Sequence, residues 1–162
     1  RDVVSYRTRD SVMSMGLDQG IVAPEEPLTP PVSPDVQAVM DEWSPLMQSL
    51  RQTIFEVAAA TEAGPLTETL KWGQPAYLTE VTRSGTTLRL GYVPGEALPL
   101  RLYVHCQTNL VDRYRDRFGD VLRFEGNRAI CLPETAEAVT NAPLRHCIAM
   151  ALTYHRDKKA AG

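Results

Sequence analysis

The chain reads as an α+β domain: a single, mainly antiparallel sheet of about five strands, with N- and C-terminal helices packed on one face. Three observations predict it. Helical periodicity is concentrated at the two ends and in one interposed segment. Between them lie β-rich runs with alternating apolar positions. Two gaps between those runs, Ser84-Gly85 and Gly126-Asn127, are short enough to be hairpin turns, and hairpins make neighbouring strands antiparallel. Helices entering from both ends can then cover one face of one sheet.

Residues 1–34 stand apart. Pro24, Pro27, Pro30, Pro31 and Pro34 crowd a short stretch, and proline blocks helix and sheet interiors. This stretch is expected to be an extended arm ahead of a domain spanning 35–158. Ser33-Pro34-Asp35 then starts a helix, with a Ser cap, Pro in the first turn and an acid near the positive end. Ser44-Pro45 starts a longer helix to Ala60, in which Leu46, Leu50, Ile54, Val57 and Ala58 recur at helical spacing. Gly64-Pro65 ends it. Leu66–Leu70 reads as one more helical turn leading into Trp72.

Strands are expected over Ala76–Arg83 and Thr86–Val93, around Ser84-Gly85. Pro94 to Pro99 is a loop, and Leu100–Cys106 alternates cleanly. Asn109–Phe118 reads as a helix capped by Asn109 and ended by Gly119. Val121–Glu125 and Arg128–Leu132 form a second hairpin around Gly126-Asn127. Thr135–Val139 suggests a helical turn, and a helix from about Leu144 to Arg156 closes the domain.

Composition bounds the class. The chain has 162 residues, 43% hydrophobic and 23% charged, enough to bury a core without metal or disulfides. A formal net charge of -3 argues against a nucleic-acid partner. Three widely spaced cysteines form no disulfide framework, which points to a reduced, cytoplasmic setting. No apolar run approaches the length of a membrane span and no signal-peptide pattern is present. The first residue is Arg1, so the start of the gene product is left open.

Strand alternation supplies the candidate site. Leu100, Leu102, Val104 and Cys106 share one face; Arg101, Tyr103 and His105 share the other. By the same rule Arg89 opposes Leu88 and Leu90, while Arg123 and Glu125 oppose Leu122 and Phe124. With the apolar faces turned to the helices, Arg89, Arg101, Tyr103, His105, Arg123 and Glu125 gather on the other face. Guanidinium forks suit carboxylate or phosphate groups, so this platform is a candidate site for a small anionic ligand. Trp72 and Tyr77 are a candidate aromatic wall for it. The competing reading of Trp72 is a plug where helix meets sheet. Lys71 either reaches a bound anion or lays its stem on the surface.

The repeated pairs His105-Cys106 and His146-Cys147 do not make a zinc site, because strand neighbours point to opposite faces and Cys147 lies on an apolar helix stripe. Phosphate-loop, dinucleotide-binding, zinc-protease and nucleophile-elbow motifs are all missing, so no catalytic set is assigned.

One segment carries a resemblance. Glu68-Thr69-Leu70-Lys71-Trp72-Gly73-Gln74-Pro75-Ala76-Tyr77 is similar to the YdhG-like domains of unknown function. Weaker support comes from Leu50-Arg51, Leu102-Tyr103-Val104-His105, and Arg128-Ala129-Ile130 leading into Leu132-Pro133. The resemblance covers about residues 34–157. It implies a small α+β domain with one sheet and helices on one side, and no catalytic residues. One branch of the family has been likened to frataxin, which makes iron an implied cargo; the acids of the first helices (Asp35, Asp41, Glu42, Glu56) are scattered rather than clustered. Three functions are therefore weighed: a binding or carrier module for a small anion, a frataxin-like iron-delivery protein, and a protein-interaction or homodimerisation module. No cofactor other than iron is implied, and the state is monomer or homodimer.

Overall fold

The computed structural model describes residues 29–161. Most of the expected arm lies outside them. Its last residues are described, and there Val32 packs on the core and the Pro30 carbonyl accepts a hydrogen bond from Arg51 at 2.9 Å.

The two serine signals act as expected, whereas Asn109, ahead of the third helix, makes no side-chain cap hydrogen bond. Ser33 Oγ accepts from the Val36 amide at 3.4 Å and starts α1 (Pro34–Trp43). Ser44 Oγ accepts from the Leu46 amide at 3.2 Å and starts α2 (Leu46–Ala60). Leu50, Ile54, Val57 and Ala58 of α2 are buried, as their spacing requires.

The segment after Gly64-Pro65 is not helical. Thr67–Lys71 is a strand, β1, paired antiparallel with β2 (Gln74–Leu78). The turn between them is Trp72-Gly73, with Lys71 opposite Gln74 and φ of 56° and 76° at its two residues. Two positive φ values are what a type I′ hairpin turn demands. The strand was hidden because it lies at the sheet edge, where burial is only partial and apolar alternation is weak.

The remaining elements are β3 (Leu88–Tyr92), β4 (Leu100–Tyr103), α3 (Leu110–Phe118), β5 (Arg123–Glu125), β6 (Ala129–Leu132), α4 (Ala142–Leu152) and α5 (Tyr154–Ala161). All strand pairs are antiparallel and the sheet order is β1-β2-β3-β4-β6-β5. The architecture is the expected α+β layout with one open sheet, now of six strands. Tyr77, Leu88, Leu90, Leu100, Leu102, Ile130 and Leu132 share one face by register and are buried in a single cluster with residues of α1 to α4.

Ser84-Gly85 is not a two-residue hairpin turn. β2 ends at Leu78, and residues 79–87 leave the sheet to dock on the C-terminal helices. Ser84 Oγ donates to the Leu152 carbonyl at 2.7 Å, and the Thr86 amide donates to the Ala151 carbonyl at 2.9 Å. The Arg156 amide returns a bond to the Ser84 carbonyl at 2.9 Å. A Cβ on Gly85 would stand 2.3 Å from the Leu152 carbonyl, so only glycine fits this approach. The same docking takes up carbonyls at the end of α4, where the predicted last helix divides at Thr153 into α4 and α5.

Candidate ligand-binding site

The register places Arg89, Arg101, Tyr103 and Arg123 on the sheet face opposite the core. Arg89 pairs with Tyr103, Gly91 with Arg101, and Cys131 with both Arg101 and Arg123. Their surroundings differ sharply, and only part of the expected platform is open to a ligand.

Tyr103 is packed into the face. Its ring lies over Gly91, where a Cβ would come within 2.5 Å of Tyr103 Cε2. Arg89 and Arg128 flank it at 5.6 and 4.9 Å from the ring centroid, a stabilising cation–π arrangement. Parity within the expected strand Arg128–Leu132 puts Arg128 with Ile130 and Leu132 on the core face; β6 instead begins at Ala129, and Arg128, outside it, reaches Tyr103.

Arg101 is buried, and the chain saturates it. Nη2 donates to Glu96 Oε1 at 2.7 Å and Nε to Glu125 Oε1 at 3.3 Å, while Nη1 donates to the Leu98 carbonyl. Burial opposes its charge, but the Glu96 hydrogen bond and the Glu125 carboxylate still hold its pKa above the ordinary value. The loop after Val93 thus folds onto Arg101. Two carboxylates beside this guanidinium repel an incoming anion. Arg123 sits on the edge strand β5, exposed, with Nη1 on the Leu122 carbonyl at 3.1 Å.

Tyr77 is separated from the others. It is fully buried on the helix side, and its hydroxyl donates to Glu68 Oε2 at 2.8 Å. Burial, then the Glu68 charge, push its phenol pKa upward. Glu68 in turn takes a two-point contact from Arg51 at 2.6 and 3.0 Å. Phe55 meets the Tyr77 ring edge-on at 5.7 Å. Tyr77 is therefore part of an internal network tying α2 to β1 and β2.

What remains forms a corner. Lys71, Trp72, Thr87, Arg89 and His105 line a hollow of about 280 Å³. Trp72 is 92% exposed, so it plugs no gap between helix and sheet. Arg89 spends one N–H on Gln74 Oε1 at 3.1 Å, and its plane is steadied by Tyr103. The Gln107 amide donates to His105 Nδ1 at 3.1 Å, which leaves the proton of neutral His105 on Nε2. The hollow therefore has an ammonium, a guanidinium and an imidazole donor, and among the described residues no carboxylate lines it. Neither Lys71 nor Arg89 forms an ion pair among the described residues. A second hollow, which shares Thr87, sets Arg83 and His155 against Glu80 and is less cationic.

Other chemistries find little footing. Burial raises the thiol pKa of Cys131, and pushes that of Cys147 up to about 12, so neither is an activated nucleophile. Among the described residues no three His, Cys, Asp or Glu side chains converge as metal ligands. Glu56 is instead engaged by Arg145 at 2.8 Å, and Asp41 by Gln37 at 2.6 Å. An iron site does not fit these donors. Among the described residues no helix is long and apolar enough to cross a membrane.

No known family model, curated protein or solved structure matches the chain.

Proposed function

We propose that this protein is a small binding or carrier module that holds an anionic ligand at the polar sheet face, at the corner of Lys71, Arg89 and His105. The observation that carries this reading is the hollow itself: Lys71, Arg89 and His105 line it, without a carboxylate among the described residues, on a chain whose overall charge is negative. A cationic corner concentrates anions, and a guanidinium beside an ammonium matches a phosphate or carboxylate group. Kinship with the YdhG-like domains and a cytoplasmic setting belong to the same proposal, supported by the motif around Trp72 and the absence of cysteine pairing among the described residues.

The test is isothermal titration of the purified chain with inorganic phosphate, citrate and acetate at low ionic strength. Saturable binding that weakens with added salt and disappears in an Arg89→Gln variant is the expected result. Binding that survives Arg89→Gln but is lost in Arg123→Gln would move the site to the β5 edge. No binding by any anion would end the small-ligand reading in favour of an interaction module.

A further inference from the structure

Trp72 stands in a place that neither local conformation nor packing accounts for. Its φ of 56° lies in the left-handed region, which bulky side chains disfavour and which type I′ turns normally give to Asn, Asp or Gly. Its indole is 92% exposed and buries almost nothing in return. A large aromatic side chain held out to solvent on a tight turn costs the folded state twice, through backbone strain and through apolar surface left in water. A flat ring in that position is an open stacking surface. It lines the same hollow as Lys71, Arg89 and His105.

We infer that the ligand of this corner is a phosphate-bearing planar aromatic of the size of a nucleoside monophosphate, its ring stacked on Trp72 and its phosphate held by Lys71 and Arg89. This inference rests on the anion-binding reading above and adds the ring. The two halves of the site come from opposite sides of β2: β1 and its turn bring Lys71 and Trp72, while β3 brings Arg89, with Thr87 just ahead of it. His105 Nε2 adds a donor of the kind a phosphate dianion accepts, beyond what a single carboxylate needs. The volume of about 280 Å³ lies just below the range of ligand pockets, roughly 300–1,000 Å³, which suits one nucleotide rather than a dinucleotide or a strand. Stacking on an exposed aromatic is tolerant of which base it meets, so the class is set by ring and phosphate together.

The experiment is calorimetric titration of the full chain with AMP, ribose 5-phosphate and inorganic phosphate at one ionic strength, repeated with Trp72→Ala, Trp72→Phe and Arg89→Gln. AMP is expected to bind about tenfold or more tighter than ribose 5-phosphate, the margin that base–aromatic stacking supplies. Trp72→Ala should bring AMP down to the affinity of ribose 5-phosphate without weakening the latter. Trp72→Phe should retain part of the difference, and Arg89→Gln should abolish binding of all three. Equal affinities for AMP and ribose 5-phosphate, or a ratio untouched by Trp72→Ala, would overturn the stacking inference while leaving the anion site in place. A Trp72→Ala variant that keeps the AMP preference but loses self-association in sedimentation would overturn it too, since the indole would then be a dimer contact. Failure of all three ligands to bind the wild-type chain would remove both readings together.

Discussion

Arg51 and Glu68 meet inside the protein through two contacts, Nε to Oε2 at 2.6 Å and Nη2 to Oε1 at 3.0 Å, with only 3% and 10% of their side chains exposed. The pair links the middle of α2 to edge strand β1, and Tyr77 completes it from β2. Removing one charge strands the other in a poor solvent for ions. Glu68→Gln is therefore expected to cost about 3–5 kcal/mol in urea unfolding. The double variant Arg51→Met, Glu68→Leu should be less destabilised than either Glu68→Gln or Arg51→Met alone, because no unpaired charge remains. Strictly additive losses would show that the two side chains do not act as a unit.

Turn chemistry predicts a gain from removing the exposed indole. Trp72→Asn places a residue suited to positive φ in the type I′ turn. Stability should rise by up to about 1 kcal/mol, read as a higher urea midpoint with an unchanged slope. A loss of more than about 1 kcal/mol would mean that Trp72 packs against something in the free protein.

Much of the fold was legible before any coordinates. Ser33 and Ser44 announced their helices because a capping side chain is a local signal. The alternation through Leu88, Leu90, Leu100 and Leu102 fixed which face of the sheet meets the helices. What escaped was set by distant partners. β1 was misread because an edge strand needs little apolar alternation, and Glu68 on its inward face looks polar until Arg51 is found opposite it. Gln74-Pro75-Ala76-Tyr77 has no alternating pattern, so nothing local said that Tyr77 faces inward. Arg89 and Arg101 look alike as sequence. Glu96 and Glu125 close around Arg101, whereas Arg89 meets Gln74 and Tyr103 and forms no ion pair among the described residues.

Close approach of backbone to backbone makes Gly85 sensitive. Gly85→Ala would drive a methyl group into the Leu152 carbonyl, and overpacking of this kind costs about 1–3 kcal/mol. Guanidinium unfolding should show that loss. Gly85 does not have a positive φ, so its loss comes from the clash; Gly95→Ala, with positive φ and no atom within 4 Å of its Cβ, shows backbone strain alone for comparison. An unchanged unfolding midpoint in Gly85→Ala would argue against a tight contact at Leu152.

The thiols should separate by burial. Cys106 is exposed, while Cys131 and Cys147 are buried, so a thiol reagent at neutral pH should label Cys106 alone until the chain unfolds. Burial holds the Cys147 pKa at about 12, above its ordinary 9.0. As pH rises past the ordinary value, the unfolded chain releases that proton and the folded chain keeps it. Its contribution is thus intact below about pH 9 and is lost progressively toward pH 12, with a limiting slope of about 1.4 kcal/mol per pH unit. Tyr77 and Tyr114, whose phenols are also raised chiefly by burial, bend the alkaline curve the same way. Cys147→Ala should flatten the curve above pH 9, measured as melting temperature against pH. An unchanged curve would place the thiol in contact with water.

The stitch between Ser84 and the end of α4 has a counterpart in time. The amides of Thr86 and Arg156 bond across that junction, so their rates of exchange with deuterated solvent report its opening. Beyond it, residues 157–160 of α5 are exposed along their length. A helix with so little apolar anchorage frays at low cost, and its amides should exchange early while those of β3 and β4 persist. The molecule then has two lifetimes built into one chain: a slow sheet with α2 and α4, and a brief final helix whose unwinding stops at Thr153.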